Sequence, residues 1–224
     1  NMSKNVKNHD AEEAIEHALT STEHVIEKYK KPILYGVIAV IAIAALSLGY
    51  QHLIRKPKMQ EAMAQTFLAE QYFRADSFAL ALNGDGNAYG FKKIIDEYGT
   101  LAGEAVYFYA GICELQLGQY KNAIDYLKKY DGDDQILSAR ALACIGDAHA
   151  GLQENKEAIN YYLKAANFAE NAFAAGYLLK AGIMYEELGE KDNAIKTYQE
   201  IKDKYPQTVE GYEIDKYISR IQQQ

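Results

Sequence analysis

Two cysteines, five histidines and one glycine-rich pentapeptide are the residues of this chain whose types could do chemistry beyond packing. His17 and His24 stand seven apart, so a helix can place both on one face, but two ligands two turns apart make a poor metal site. His9 reads as an exposed residue, while His52 beside an apolar run and His149 within an apolar helical pattern read as structural. Cys113 and Cys144 also lie in apolar helical patterns, where thiols pack as small hydrophobes. Whether they pair depends on a Cα separation that spacing leaves open. Asn83-Gly84-Asp85-Gly86-Asn87 looks faintly like a calcium loop, but one Asp without a closing Glu cannot supply six or more oxygen ligands, so it reads as a turn. There is no glycine-rich phosphate loop, no nucleophile elbow, and no Cys or His cluster at metal spacing. The expectation is a protein without catalytic residues, cofactor or metal. Nineteen tyrosines without a tryptophan could stack on carbohydrate or peptide, yet Tyr107, Tyr126, Tyr162, Tyr185 and Tyr198 follow a core spacing.

The elements around these residues explain the chain better. Pro32 to Ile54 is a run of 23 residues free of Asp, Glu, Lys and Arg, and at 1.5 Å per residue it reaches roughly 34 Å, enough to cross a hydrocarbon core of about 30 Å. It reads as one transmembrane anchor over 32–54. Lys28, Lys30 and Lys31 precede it, Arg55, Lys56 and Lys58 follow it, and Tyr35 and Tyr50 sit near its ends, where amphipathic rings favour the headgroup level. Pro32 suits a first helical turn. A cleaved secretory signal fits less well despite the small-x-small Ala42-Ile43-Ala44. The run is too long, and the preceding 31 residues carry Asp10, Glu12, Glu13, Glu16, Glu23 and Glu27. Within the anchor Ala39, Ala42, Ala45 and Gly49 fall in an arc of about 120°, a small face by which another membrane helix could approach closely. Three basic residues flank each side, so charge does not set the orientation.

Residues 1–31 form a leader with helix signals at Asp10/Glu13 and Thr20/Glu23. It is amphipathic, suited to a bilayer surface or a partner, or equally to a solvated helix. Residues 57–224 make one domain with 17 Lys and Arg against 25 Asp and Glu, an excess of negative charge that argues against nucleic acid as a partner. Met63, Phe67, Leu68, Tyr72, Phe78 and Leu82 keep a helical period until the Asn83 turn stops it.

From Ala88 onward the chain repeats itself. Gly111, Gly146 and Gly182 are 35 and 36 residues apart, and so are Ala123, Ala158 and Ala194; a fainter copy sets Gly90 in the place of Ala123. This pattern resembles the tetratricopeptide repeat, a helix-turn-helix unit of 34 residues. The resemblance implies an all-α fold in which small residues at the eighth and twentieth places let paired helices touch. Tyr107, Leu142 and Leu178 stand at the fourth place, Leu127, Tyr162 and Tyr198 at the twenty-fourth, and Pro206 at the thirty-second. Glu114 and His149 replace an aromatic at the eleventh, and the turn centred on Asn155 lacks the usual glycine. Units are expected at about 59–98, 104–130, 138–168 and 174–206, with a capping helix over 209–224 that uses Tyr212, Ile214, Tyr217, Ile218 and Ile221. In this repeat the second, fifth, ninth and twelfth places line a concave groove, which implies a partner-binding face of Phe108, Ile112 and Leu115, then Arg140, Ala143 and Asp147, then Leu179, Ile183 and Glu186.

The order TSTEHVIEKYKKPIL, ALNGDGNAYGFKKIIDEYG, YAGICELQLGQYKNAIDYLKKY, LLKAGIMYEELGEKDNAIKTYQEIKDKYP and IDKYISR is similar to the YfgM-type ancillary subunits of the Sec translocon, in a Bacteroidota-like form. That resemblance implies a single-pass protein of the inner (cytoplasmic) membrane with a cytoplasmic leader and a periplasmic repeat domain. It would act without enzymatic chemistry as a chaperone-like scaffold. Its partners would be Sec translocon membrane subunits, a membrane-anchored chaperone of the peptidyl-prolyl isomerase type, emerging secretory polypeptides and membrane lipid. The alternative is a membrane-tethered docking adaptor for another envelope assembly or a cytoplasmic complex.

Overall fold

Small residues decide where the helices of this protein touch. A Cβ added at Gly111 would stand 2.5 Å from Leu127 Cγ, and one at Gly146 would stand 2.7 Å from the Tyr162 ring. The third glycine of the series, Gly182, lies against Tyr198 in the same way. Ala123, Ala158 and Ala194 are fully buried in the facing helices, so each pair packs side chain against bare backbone, the close contact that the repeat pattern requires. The computed structural model describes residues 29–169 and 172–223. Leader residues 1–28, with Asp10, His17 and His24, lie outside them, and Tyr29, Lys30 and Lys31 open the first helix.

The described residues form helices and no strand beyond one isolated bridge, Gly84 to Tyr89. The chain divides into two compact units, Asn1–Pro57 and Lys58–Gln224. Helix α1, Tyr29–Arg74, is long and apolar enough in its first part to cross a membrane. Its segment Gln51–Arg55 is a π-helix, with the Lys56 N–H donating to the Gln51 carbonyl. Pro57 follows at once; it has no N–H to give the Leu53 carbonyl and its ring crowds that oxygen, and a wider turn relieves both.

In the second unit follow α2 (Phe78–Asn83), α3 (Phe91–Tyr98), α4 (Ala105–Gln116), α5 (Tyr120–Leu127), α6 (Gln135–Gly151), α7 (Asn155–Ala169), α8 (Phe173–Glu187), α9 (Lys191–Lys204) and α10 (Val209–Gln222). Helices α4 and α5, α6 and α7, and α8 and α9 are antiparallel pairs stacked in order, and α10 packs on the last pair through the buried Ile214 and Ile221. Val209 and Tyr212 of α10 point to solvent, so Tyr212 is not part of the capping face that the sequence pattern suggests. Thr208 starts this helix by accepting from the Gly211 N–H.

One terminator closes every first helix. The N–H of Gln119 reaches back to the Glu114 carbonyl while Gly118 bonds to Leu115, the Schellman pattern that places one residue in the left-handed region. The same bonds recur with Gly189, with Gln153 and with Asp76, whose φ values are 73°, 62° and 53°. Two expectations change here. The turn of the third unit is made by Gln153 rather than Asn155, which begins α7. The apolar period of residues 63–82 does not form one helix: Asp76 stops α1 at Arg74, and α2 is separate.

The leading unit departs further from the repeat. Its second helix is split into α2 and α3 by the loop from Gly84, where Asp85 accepts from the Asn87 and Ala88 N–H groups at 2.9 and 2.7 Å and from the Tyr72 hydroxyl at 2.7 Å. These bonds hold the Asp85 carboxyl down at about 2, the Ala88 N–H contributing most. Gly90 therefore does not occupy a mid-helix place like Ala123. It is the N-cap of α3, pressed against the Gly84 backbone.

Candidate functional site

The first helices α4, α6 and α8 carry the expected groove residues, and the structure sorts these by what touches them. Phe108 and Ile112 are not groove residues. They are 3% and 7% exposed and pack with Ala141, Cys144, Ile145 and Ala148 of α6, while the Phe108 ring lies 5.7 Å from Tyr130. The short side chains of α6 bring it close enough to α4 to enclose the larger ones. Ala143 is likewise buried. Leu115, Leu179 and Ile183 remain half-buried and Arg140 exposed, so these four retain surface for a partner.

Asp147 and Glu186 are engaged inside the fold. Asp147 accepts from the Tyr162 hydroxyl at 2.8 Å and from Lys180 Nζ at 2.6 and 2.9 Å. Glu186 accepts from the Tyr198 hydroxyl and from Arg220 Nη2 at 2.7 Å. Each carboxylate thus joins a tyrosine of its own unit's second helix to a cation on the following element. Arg220 of α10 does for the third pair what Lys180 of α8 does for the second. Burial, reinforced by these carboxylates, pushes both tyrosines above their ordinary range. Hydrogen bonding to Glu186 raises Arg220. Sequence reading missed these partners, although Lys180 follows Asp147 by 33 residues and Arg220 follows Glu186 by 34. Opposite charges one repeat period apart were the available signal.

The eleventh place has two different occupants. Glu114, with a side chain 2% exposed, has Lys92 Nζ of α3 at 2.9 Å. The pair meets at ion-pair distance without hydrogen-bond alignment at Oε1. His149 stacks on Tyr161 at 5.2 Å and meets Glu154 at 2.6 Å through Nδ1. Both polar side chains fill a slot that an aromatic would otherwise pack.

Burial pushes the Cys113 and Cys144 thiols up to about 12. They are free and buried, hence poor nucleophiles at neutral pH. Among the described residues no three His, Cys, Asp or Glu side chains converge as a metal site. On the apolar part of α1, Ala39, Ala42 and Ala45 are exposed and Gly49 half-exposed; a Cβ built on Gly49 meets nothing within 4 Å.

Tetratricopeptide repeat families match residues 105–130 and 177–208, and 139–171. No curated protein matches the chain. Among solved structures, one described as the crystal structure of MamA protein aligns with a TM-score of 0.56 at 21% identity, covering 74% of this chain and 83% of that one. A second crystal structure of MamA aligns at 0.51 and 22% identity, covering 69% and 92%. At such identities the likeness is one of fold. The helix pairs α4/α5, α6/α7 and α8/α9 are therefore tetratricopeptide repeats, a protein–protein interaction module.

Proposed function

We propose that this protein is a non-enzymatic, membrane-anchored accessory subunit of the Sec translocon. Its repeat domain lies on the periplasmic side and engages translocon components, a membrane-anchored chaperone and emerging secretory chains. The observation that carries the reading is the order of parts: an apolar run of membrane-spanning length is followed in the same chain by tetratricopeptide repeats from residue 105. The Sec assignment rests on the ordered sequence likeness to the YfgM-type subunits. Leu115, Arg140, Leu179 and Ile183 are the surface left for a partner on the first-helix face, and Ala39, Ala42, Ala45 and Gly49 are the face offered within the bilayer.

The test joins topology to association. Alkaline phosphatase fused after Gln224 is expected to be active and the same enzyme fused within the leader inactive. Translocon subunits are expected to co-purify after gentle detergent extraction, and to be lost on changing Leu179 and Ile183 to Asp with the helical circular dichroism intact. A reversed fusion pattern would instead support a cytoplasmic docking adaptor. Retention in the Asp variants, with loss on replacing the Ala39 to Gly49 face by leucines, would give the contact to the anchor.

A further inference from the structure

Helix α5 has eight residues where α7 has fifteen and α9 fourteen. The turns that α5 lacks leave a cavity of about 610 Å³ beside α6 and α7. Leu127, Ala141, Leu142 and Ile145 give it apolar walls, and Tyr161 and Phe168 of α7 close its far side. Its mouth is held open by a tied loop. Asp134 caps α6 through the N–H groups of Ile136 and Leu137, Ser138 Oγ donates to the Gly132 carbonyl at 3.0 Å, and Tyr130 is folded onto Phe108. Phe168 stands half in water, 49% exposed.

Two features around the cavity say what would enter. Lys128, in its lining, and Lys164, beside it on α7, converge on the Tyr161 ring, their Nζ atoms 5.9 and 4.9 Å from its centroid. Neither has a carboxylate partner among the described residues, although the chain as a whole carries a net charge of −7. In the loop that follows Lys128, beside the Asp131 carboxylate, the N–H groups of Asp131, Gly132 and Asp133 find no main-chain acceptor among the described residues. An apolar cavity, a pair of lysines without counter-charge and a length of unpaired backbone are together the complement of an extended peptide.

We propose that this cavity, lined from α5, the loop after it, α6 and α7 and by none of Leu115, Arg140, Leu179 and Ile183, binds an extended partner segment in which a bulky apolar side chain is followed by carboxylates. The apolar side chain fills the space left by the short α5, the carboxylates meet Lys128 and Lys164, and the segment's main chain pairs with the loop at 131–133. The proposal rests on the reading of the repeats as an interaction module and names a second face for it.

The test uses the full-length protein in nanodiscs and the peptide Gly-Ser-Gly-Trp-Leu-Glu-Glu-Gly. The protein has no tryptophan, so indole emission reports the peptide alone. A saturable blue shift is expected, absent when the peptide's Trp is replaced by Ser. Phe168→Glu and the double variant Lys128→Glu/Lys164→Glu should each weaken binding about tenfold or more, with unchanged circular dichroism. A peptide carrying Lys-Lys for Glu-Glu should regain binding on the double variant, which a folding defect cannot produce. Emission that stays at the free-peptide wavelength, or a shift indifferent to both variants, overturns the site. If that indifferent shift is lost in the variant carrying Leu179→Asp and Ile183→Asp, the interaction reading stands and only this cavity is wrong.

Discussion

Replacing Lys92 by Met isolates the most exposed-to-error element of the core, a carboxylate sealed between helices. Glu114 is held by α4 with 2% of its side chain exposed, and Lys92 Nζ on α3 is its counter-charge at 2.9 Å. Removing one partner of a fully buried pair costs about 3–5 kcal/mol, because the remaining charge keeps its desolvation penalty and loses its compensation. Lys92 is itself 40% exposed, so water already screens part of the attraction, and the expected loss is about 2–3 kcal/mol. For a unit of this size each kcal/mol moves Tm by about 2–4 °C, which gives a drop of about 4–12 °C. The complementary change Glu114→Leu leaves a lysine that can turn to solvent, so it should cost about 1 kcal/mol or less. The double variant should resemble Glu114→Leu, which makes the coupling energy equal to the cost of the lysine change alone, about 2–3 kcal/mol. Urea unfolding of a Lys58–Gln224 fragment, followed at 222 nm, measures all three. Equal costs for the two single variants, or additive costs in the double, would refute the picture of an asymmetrically buried pair.

Two further outcomes follow from the helix ends and the tyrosine pairs. Gln153→Gly should raise stability by about 0.5–1 kcal/mol in the same unfolding assay, since Gln153 holds φ 62° where glycine has no Cβ to crowd the carbonyl. A loss would mean that the Gln153 side chain makes a compensating contact. Tyr162 and Tyr198 are raised above the ordinary tyrosine value in the fold, so their stabilisation is complete below pH 10 and is lost as pH rises, because the unfolded chain then releases their protons first. Above pH 10 stability should fall by up to about 1.4 kcal/mol per pH unit for each tyrosine, and Tyr162→Phe should make that slope shallower.

The repeat was legible in the sequence because its contacts are local and recur at one spacing. Gly111, Gly146 and Gly182 with Ala123, Ala158 and Ala194 mark where two backbones must touch, and no other residue types leave room for it. The apolar span was legible for a similar reason: its length and composition lie in one stretch of chain, and the structure forms that stretch into a helix long and apolar enough to cross a membrane. Helix ends were less so: a left-handed terminator announces itself when it is Gly118 or Gly189 and is silent when it is Gln153 or Asp76, because the backbone can impose that conformation on a side chain at modest cost. The concave face was misjudged at Phe108 and Ile112, where the place in the repeat suggested surface. Burial there depends on how closely α6 approaches, and that distance is set by Ala141, Cys144 and Ala148 on another helix. Likewise Asp147 and Glu186 read as free carboxylates until Lys180 and Arg220 are brought beside them from one period away. The cavity beside α5 depends on a difference in length between helices of neighbouring units, which exists only once they are stacked. Sequence thus determined the kind of unit and its order, because those rest on contacts within a repeat. Only the tertiary structure decided which polar and apolar groups remain free for a partner, because that depends on what the adjoining unit has already covered.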